Sequence, residues 1–261
     1  MSREIEMDEW RLQLEKFEGL LSQIGQCRDE SGKLRFSRST IIASDVASQF
    51  YCEKKVEMQY LHGKVETEEK RCGSQAHENM TEDSLEVKSE ELWQKIYGEE
   101  PIYALEMFLA AQYQGVMLAG VPDSVLFRRG RPQVVFEYKF SGSRLAYPSY
   151  HVQAQTYGIL LENMGFDISE LFYAIVVADP STRGSSELRE KVLEIVSGNG
   201  LEDAELVIND YAAVYMCRFR REDAEKHLSW ALEYWTGFRD AVATENPNKC
   251  LRCEYREKCR A

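Results

Sequence analysis

A chain of 261 residues, 44% hydrophobic and 29% charged, is long enough for one large domain or a core with an appended subdomain. Its formal net charge of −12 excludes broad, non-specific adhesion to nucleic acid, although a local basic groove is compatible with it. No run of about 18 apolar residues occurs, so no membrane span is expected, and the opening MSREIEMDEWRLQLEK has none of the regions of a signal peptide.

In chain order, Ile5, Trp10, Leu14, Phe17, Leu21 and Ile24 recur at helical spacing and predict an amphipathic helix over 5–24. After the polar break RDESGK, a second helix is expected over 45–62, with Ser44 as N-cap, Gly63 as stop and Cys52 inside it. Residues 66–100 are strongly acidic and helical in propensity, and read as a solvated lid or loop region. From residue 101, the runs PIYALEMFLAAQ, YQGVMLAGV, DSVLFRRG and PQVVFEYKF, separated by turn signals, predict an antiparallel meander of three or four strands. A helix over 148–164 follows. The unbroken apolar run LFYAIVVAD then suits a central buried strand, and a helix over 183–197 comes next. YAAVYMCRF reads as the last strand, and REDAEKHLSWALEYWTGFRDAVA as a long closing helix that delivers the chain to its cysteine tail. The organisation is a helical region over 1–100, an α/β core over 101–220, and a closing helix with a cysteine cluster over 221–261.

Two meander segments carry chemistry. In VVFEYKF, Glu137 and Lys139 are two apart on a strand and leave the same face. In GVPDSVLF, Asp123 starts the preceding strand and can meet Glu137 across the hairpin. Taken alone, E-x-K is as compatible with a surface ion pair. Two converging carboxylates instead make a hard, oxygen-lined site for Mg2+ or Mn2+, where a metal would activate water and stabilise charge on a phosphodiester, with Lys139 as a compact cation beside it. Gln153 and Tyr157 lie four apart on one helical face directly afterwards, and His77 stands upstream in CGSQAHENM.

The order His, G-x-P-D, E-x-K, Q-x3-Y resembles the RecB-like branch of the PD-(D/E)-x-K nuclease superfamily, and within it the CRISPR-associated iron–sulfur exonucleases, over Cys52 to Cys259. The resemblance implies a restriction-endonuclease-like mixed central sheet flanked by helices. It implies His77, Asp123, Glu137 and the Tyr138 carbonyl as metal ligands, Lys139 as the catalytic lysine, and Gln153 and Tyr157 as residues that orient the site, Tyr157 also contacting the DNA. The chain departs from such relatives in offering only Arg144 as a basic residue soon after Lys139, and in its long acidic stretch before residue 100.

Seven cysteines in a chain without an export signal argue against a disulfide framework and for clustered thiols holding a metal or cluster in a cytosolic setting, which the resemblance implies is prokaryotic. Cys27, Cys72 and Cys217 read as small buried hydrophobes. The tail CLRCEYREKCRA sets Cys250, Cys253 and Cys259 in a C-x2-C-x5-C array, which lacks the second knuckle of a zinc ribbon. An iron–sulfur cluster takes four thiolates at unequal spacing. The resemblance implies a 4Fe–4S cluster on these three and Cys52, with Cys72 as the rival fourth ligand, and a stapling rather than redox role.

The resemblance further implies cleavage of single-stranded DNA ends or overhangs, 5′ to 3′, in trimming prespacers for the CRISPR adaptation integrase. Arg128, Arg129, Arg131, Arg144, Arg218, Arg220 and Arg221 offer a candidate DNA track, with Tyr138, Tyr147, Tyr150 and Tyr157 as candidates for base stacking. The competing readings are a RecB-like nuclease of general DNA repair, a non-cleaving DNA-end-binding partner of an integrase, and a zinc-stabilised interaction protein.

Overall fold

The computed structural model describes residues 2–28, 32–65, 89–198, 203–209 and 212–260. Its first helix, α1 (Ser2–Arg28), buries Trp10 and Leu14 and sets Phe17 against Trp93 with ring centroids 5.8 Å apart. Leu21, expected on the same stripe, is exposed. A three-residue strand, β1 (Thr40–Ile42), absent from the expectation, runs directly into α2 (Ala43–His62). That helix therefore begins before Ser44, which lies inside it rather than capping it. Gly63 ends it at φ 84°, as its sequence position suggests. The helical run is interrupted at Cys52, whose backbone is extended (φ −174°, ψ 114°).

Among the described residues of the acidic stretch, α3 (Ser89–Ile96) is not a solvated lid. Trp93 and Ile96 enter the core, and Trp93 stacks on Phe166 at 5.7 Å. The acidic residues of the helix face outward, so net charge concealed a genuine apolar stripe.

The expected meander is five strands, β2 (Ile102–Leu105), β3 (Leu109–Tyr113), β4 (Val116–Gly120), β5 (Ser124–Arg128) and β6 (Arg131–Phe140), shared between two sheets. Two tight hairpins account for the turn signals. Gln114-Gly115 and Arg129-Gly130 all have positive φ, which is the backbone twist that two-residue hairpin loops require. Between β4 and β5 the chain breaks at Val121-Pro122-Asp123 and crosses from one sheet to the other.

After α4 (Pro148–Asn163), opened by a proline at its first turn, comes β7 (Phe172–Ala178), every residue of which is buried. Then follow α5 (Ser186–Gly198), β8 (Ala204–Asn209), which was not anticipated, and β9 (Ala212–Arg218). The closing helix, α6 (Arg221–Trp235), is shorter than expected. It stops at Gly237 (φ 78°), where the Gly237 N–H donates to Tyr234 O and the Phe238 N–H to Glu233 O, the paired bonds of a Schellman stop. Two short helices, α7 (Pro247–Leu251) and α8 (Arg256–Arg260), complete the described chain.

The main sheet has the order β2-β5-β6-β7-β9-β8, with β6 and β7 parallel and its other neighbours antiparallel; the smaller sheet has the order β1-β4-β3, with β1 parallel to β4. Alternation along β6 sends Val134, Phe136 and Tyr138 into a core under α5, and Val135, Glu137 and Lys139 to the face covered by α4. Cys217, read as a small hydrophobe, packs half-buried at the edge of the larger core.

Two histidines face this packed layer. His151 Nδ1 lies 3.2 Å from the Tyr173 hydroxyl, and His227 Nδ1 lies 2.8 Å from Gln155 Oε1. Burial holds both below the ordinary histidine value of 6.5. The unfolded chain thus binds more protons than the folded one as the pH falls through that window, so stability is present above about 6.5 and lost on acidification. Urea unfolding at about pH 7.5 and about pH 5.5 should show the loss, and the double variant His151→Gln, His227→Gln should flatten it; an unchanged slope in that variant would refute the assignment.

Candidate active site and cysteine cavity

The break that carries the chain between sheets also positions Asp123. Ser124 is paired with Phe136 across the β5–β6 hairpin, so Asp123, one residue earlier, stands beside the stretch Glu137–Tyr138. Its Oδ2 accepts the Tyr138 N–H at 2.5 Å, fixing the carboxylate on the backbone of β6. Glu137 is 3% exposed, and its Oε1 accepts from Lys139 Nζ at 2.5 Å.

Lys139 Nζ also donates to Gln153 Oε1 at 3.0 Å. Gln153 Nε2 donates to the Tyr157 hydroxyl at 2.8 Å, and that hydroxyl donates to the Val121 carbonyl at 3.0 Å. The helical i, i+4 spacing of Gln153 and Tyr157 thus closes a relay from the lysine on β6, along α4, to the segment that carries Asp123. Gly120 makes the approach of α4 possible. A Cβ there would sit 2.7 Å from Tyr157 Cε1 and 2.9 Å from Ala43 Cβ, closer than packed atoms tolerate.

The electrostatics follow from the same contacts. Burial alone would push the Lys139 ammonium down, but the Glu137 and Asp123 carboxylates outweigh it and hold the lysine above its ordinary value. Burial, reinforced by Glu137, pushes the Tyr157 hydroxyl well up, so it serves as a neutral donor and acceptor. The Tyr150 ring, three residues before Gln153 on the same helical face, lies 5.3 Å from Lys139 Nζ. Helical spacing from Gln153 is the signal that marks it.

The structure therefore brings together Asp123, Glu137, Lys139, Gln153 and Tyr157. His77 lies outside the described residues, as does Cys72. Tyr138 contributes backbone only, since its side chain is buried on the opposite face of the sheet. Arg128 and Arg129 occupy the turn at the far end of the β5–β6 hairpin, where Arg129 pairs with Glu99 at 2.8 Å. Arg131 pairs with Asp167, and Arg221 with Glu162 and Glu225. Arg218 and Arg220 line a separate hollow at the C-terminal end of β9 together with Asp203 and Asp223. Arg144 is exposed on the loop that follows β6 at the carboxylate end, and its carbonyl accepts from the Tyr215 hydroxyl at 2.7 Å.

The donors present at the centre are carboxylate oxygens, the hard set that suits Mg2+ or Mn2+. Among the described residues, no three His, Cys, Asp or Glu side chains converge as a ready-made single-ion site. Asp123 and Glu137 are two such donors and fit the ion as part of a set.

A second constellation lies beside the middle of α2. Cys52, Cys250, Cys253 and Cys259 line one cavity, walled by Tyr51, Lys54, Lys55, Met58, Lys249 and Tyr255. Cys52 enters it from the interruption in α2, Cys250 from α7 and Cys259 from α8. Burial pushes the Cys259 thiol up, reinforced by Cys52 and Cys253. The surrounding clamp joins Lys55, a cation beside Cys52 in the sequence, to Tyr255, Lys249 and Glu254, which sequence spacing does not flag. The Tyr255 hydroxyl donates to Gly63 O at 2.7 Å and accepts from Val65 N at 3.0 Å; Lys249 donates to Tyr51 O at 3.1 Å; Lys55 pairs with Glu254 at 3.0 Å. Four thiols with cationic lysines around them form a donor set suited to a thiolate-bound, negatively charged group.

Beside this cavity, Glu53 is fully enclosed. It accepts two bonds from Arg239, at 2.6 and 2.8 Å, one from Gln49 at 2.7 Å and one from the Val242 N–H at 2.8 Å. Gln49 in turn accepts from Trp235 Nε1 at 2.8 Å.

Compared with known proteins, residues 37–260 match the family model described as the PD-(D/E)XK nuclease superfamily. The solved crystal structure of SSO0001 is 13% identical, with 92% of this chain and 93% of that chain covered and a TM-score of 0.46. No curated protein matches.

Proposed function

Because the chain belongs to the PD-(D/E)XK nuclease superfamily, we propose that it is a divalent-metal-dependent deoxyribonuclease that degrades single-stranded DNA ends, 5′ to 3′, with prespacer trimming in CRISPR adaptation as its setting. The observation that carries the reading is the convergence of Asp123, Glu137 and Lys139, with the lysine tied through Gln153 and Tyr157 to the segment bearing Asp123. Asp123 and Glu137, with the Tyr138 carbonyl and His77 as candidate further ligands, would hold Mg2+ or Mn2+. When bound, such an ion lowers the pKa of a water and offsets phosphoryl charge.

The chain's own part is positioning and charge. Lys139, kept cationic by two carboxylates, donates to a phosphodiester oxygen as negative charge builds there. Gln153 fixes the direction of that ammonium, and Tyr157 fixes Gln153. Arg144, exposed on the loop after β6, would meet the phosphate backbone. Arg128 and Arg129, at the remote hairpin turn, would contact only DNA extending well beyond the cleaved bond.

We assign the four cysteines to a 4Fe–4S cluster that joins α2 to the C-terminal helices. Support comes from four thiols, contributed by two distant segments, lining one cavity. Anaerobically purified protein should be brown with about four irons per chain; stoichiometric zinc without iron would overturn this assignment.

The nuclease reading is tested with single-stranded oligonucleotides labelled at either end. Mn2+ should produce mononucleotides or short products from the 5′ end, and chelation should stop it. Binding without hydrolysis would favour the non-cleaving partner instead. Cutting that survives chelation would overturn the metal assignment.

A further inference from the structure

We infer that Tyr147 is the platform on which the nucleobase next to the cleaved phosphate stacks, and that this ring makes the site selective for unpaired DNA. The inference rests on the nuclease reading and adds the feature that chooses the substrate.

Four tyrosines lie on the segments that carry the catalytic groups or lead into them. Tyr138 and Tyr157 are buried and can offer no face to a ligand. Tyr150 is half-buried, with its ring committed to the Lys139 ammonium at 5.3 Å. Tyr147 is different, being 43% exposed at the residue that leads into α4. Its ring meets Tyr150 at 5.5 Å and 80°, an edge-to-face contact that braces it while the residue stays well exposed to solvent.

The steps from ammonium to Tyr150 and from Tyr150 to Tyr147 form a short ladder outward from the reacting centre, on the scale of a nucleotide. Leu145, two residues earlier, is 61% exposed, and Val121, whose carbonyl closes the catalytic relay, is 44% exposed. The mouth of the site thus carries an apolar rim on both the β6–α4 loop and the β4–β5 break. Such a rim around charged catalytic groups suits a ligand that is anionic at one end and flat and apolar at the other, as a nucleotide is. A base inside a duplex has both faces covered by its neighbours, and only an unpaired one can lie against Tyr147.

The test compares the wild type with Tyr147→Ala and Tyr147→Phe. Binding is read with a single-stranded oligonucleotide carrying 2-aminopurine, without divalent metal, and cleavage is read with Mn2+ on single-stranded, duplex and singly abasic DNA. Tyr147→Ala should weaken single-strand binding and raise KM by roughly 5- to 100-fold, with a smaller effect on kcat and loss of 2-aminopurine quenching. Tyr147→Phe should retain wild-type behaviour, because the ring face and not the hydroxyl is used. An abasic residue beside the cleaved bond should penalise the wild type and leave Tyr147→Ala unaffected. Equal binding and cleavage by wild type and Tyr147→Ala, or an abasic penalty that persists in that variant, would overturn the inference alone. A wild type that quenches the probe but hydrolyses no DNA would overturn the nuclease reading, while the binding comparison still decides the role of Tyr147. A wild type that neither binds nor cuts would overturn both.

Discussion

Replacing Lys139 by methionine should lower the single-turnover rate of DNA cleavage by about 10²- to 10³-fold at saturating Mn2+, the loss typical of removing one donor from the position where charge develops. Methionine preserves most of the stem packing and removes only the ammonium, so the effect isolates the charge that Glu137 and Gln153 hold in place. Gln153→Ala should cost less, because it frees the ammonium to rotate without removing it. In the Lys139→Met background, Gln153→Ala should add almost nothing, since its contribution is made through the lysine. Loss of the ammonium beside buried Glu137 also weakens the fold, so rates must be compared well below the variants' melting temperatures. A Lys139→Met rate within a few-fold of wild type, or full additivity with Gln153→Ala, would refute the relay.

Glu53→Ala should lower stability by about 3–5 kcal/mol in urea unfolding, as expected when one member of an enclosed ion pair is removed. The side chain is 0% exposed. Its removal takes two bonds from the Arg239 guanidinium, one of two from the Gln49 amide, and the side-chain acceptor from the Val242 N–H. Arg239 is further held by the Trp230 carbonyl at 2.7 Å and lies over the Trp230 ring at 4.1 Å. Arg239→Ala should therefore be comparably severe, and the double variant should lose less than the sum of the two. Glu53 adjoins Cys52, and Arg239 opens the segment that leads to Cys250, so on the proposed cluster assignment both variants should also lose iron faster on exposure to chelator. A Glu53→Ala stability within about 1 kcal/mol of wild type would refute this account.

Much of the centre is legible in the sequence because its spacings are local. Alternation puts Glu137 and Lys139 on one face, a helical turn joins Gln153 to Tyr157, and proline at the sheet break marks Asp123. Non-local pairings were harder to read. Strand β1 is three residues long and exists only because Met117–Ala119 accepts it from a distant part of the chain. The division of the meander between two sheets likewise depends on β1 and β2 finding different partners. Arg128 and Arg129 looked close to the site in sequence, but five extended residues from Asp123 carry them about 17 Å along the hairpin. The early end of α6 had a local sign, Gly237 after a periodic run, which the apolar residues beyond it obscured. Helix α3 is hidden by its setting, because the two apolar side chains that it buries stand within a strongly acidic stretch over 66–100.

The relay that fixes Lys139 ends on the main-chain carbonyl of Val121, and every amino acid supplies that carbonyl. The side chain at this position stands outside the catalytic frame, on the rim. On the proposed reading, a substitution at 121 should change what the mouth of the site prefers without disturbing the alignment of the lysine. Chemistry and substrate preference would then share a residue yet vary separately, which would open the rim to evolutionary or engineered retuning.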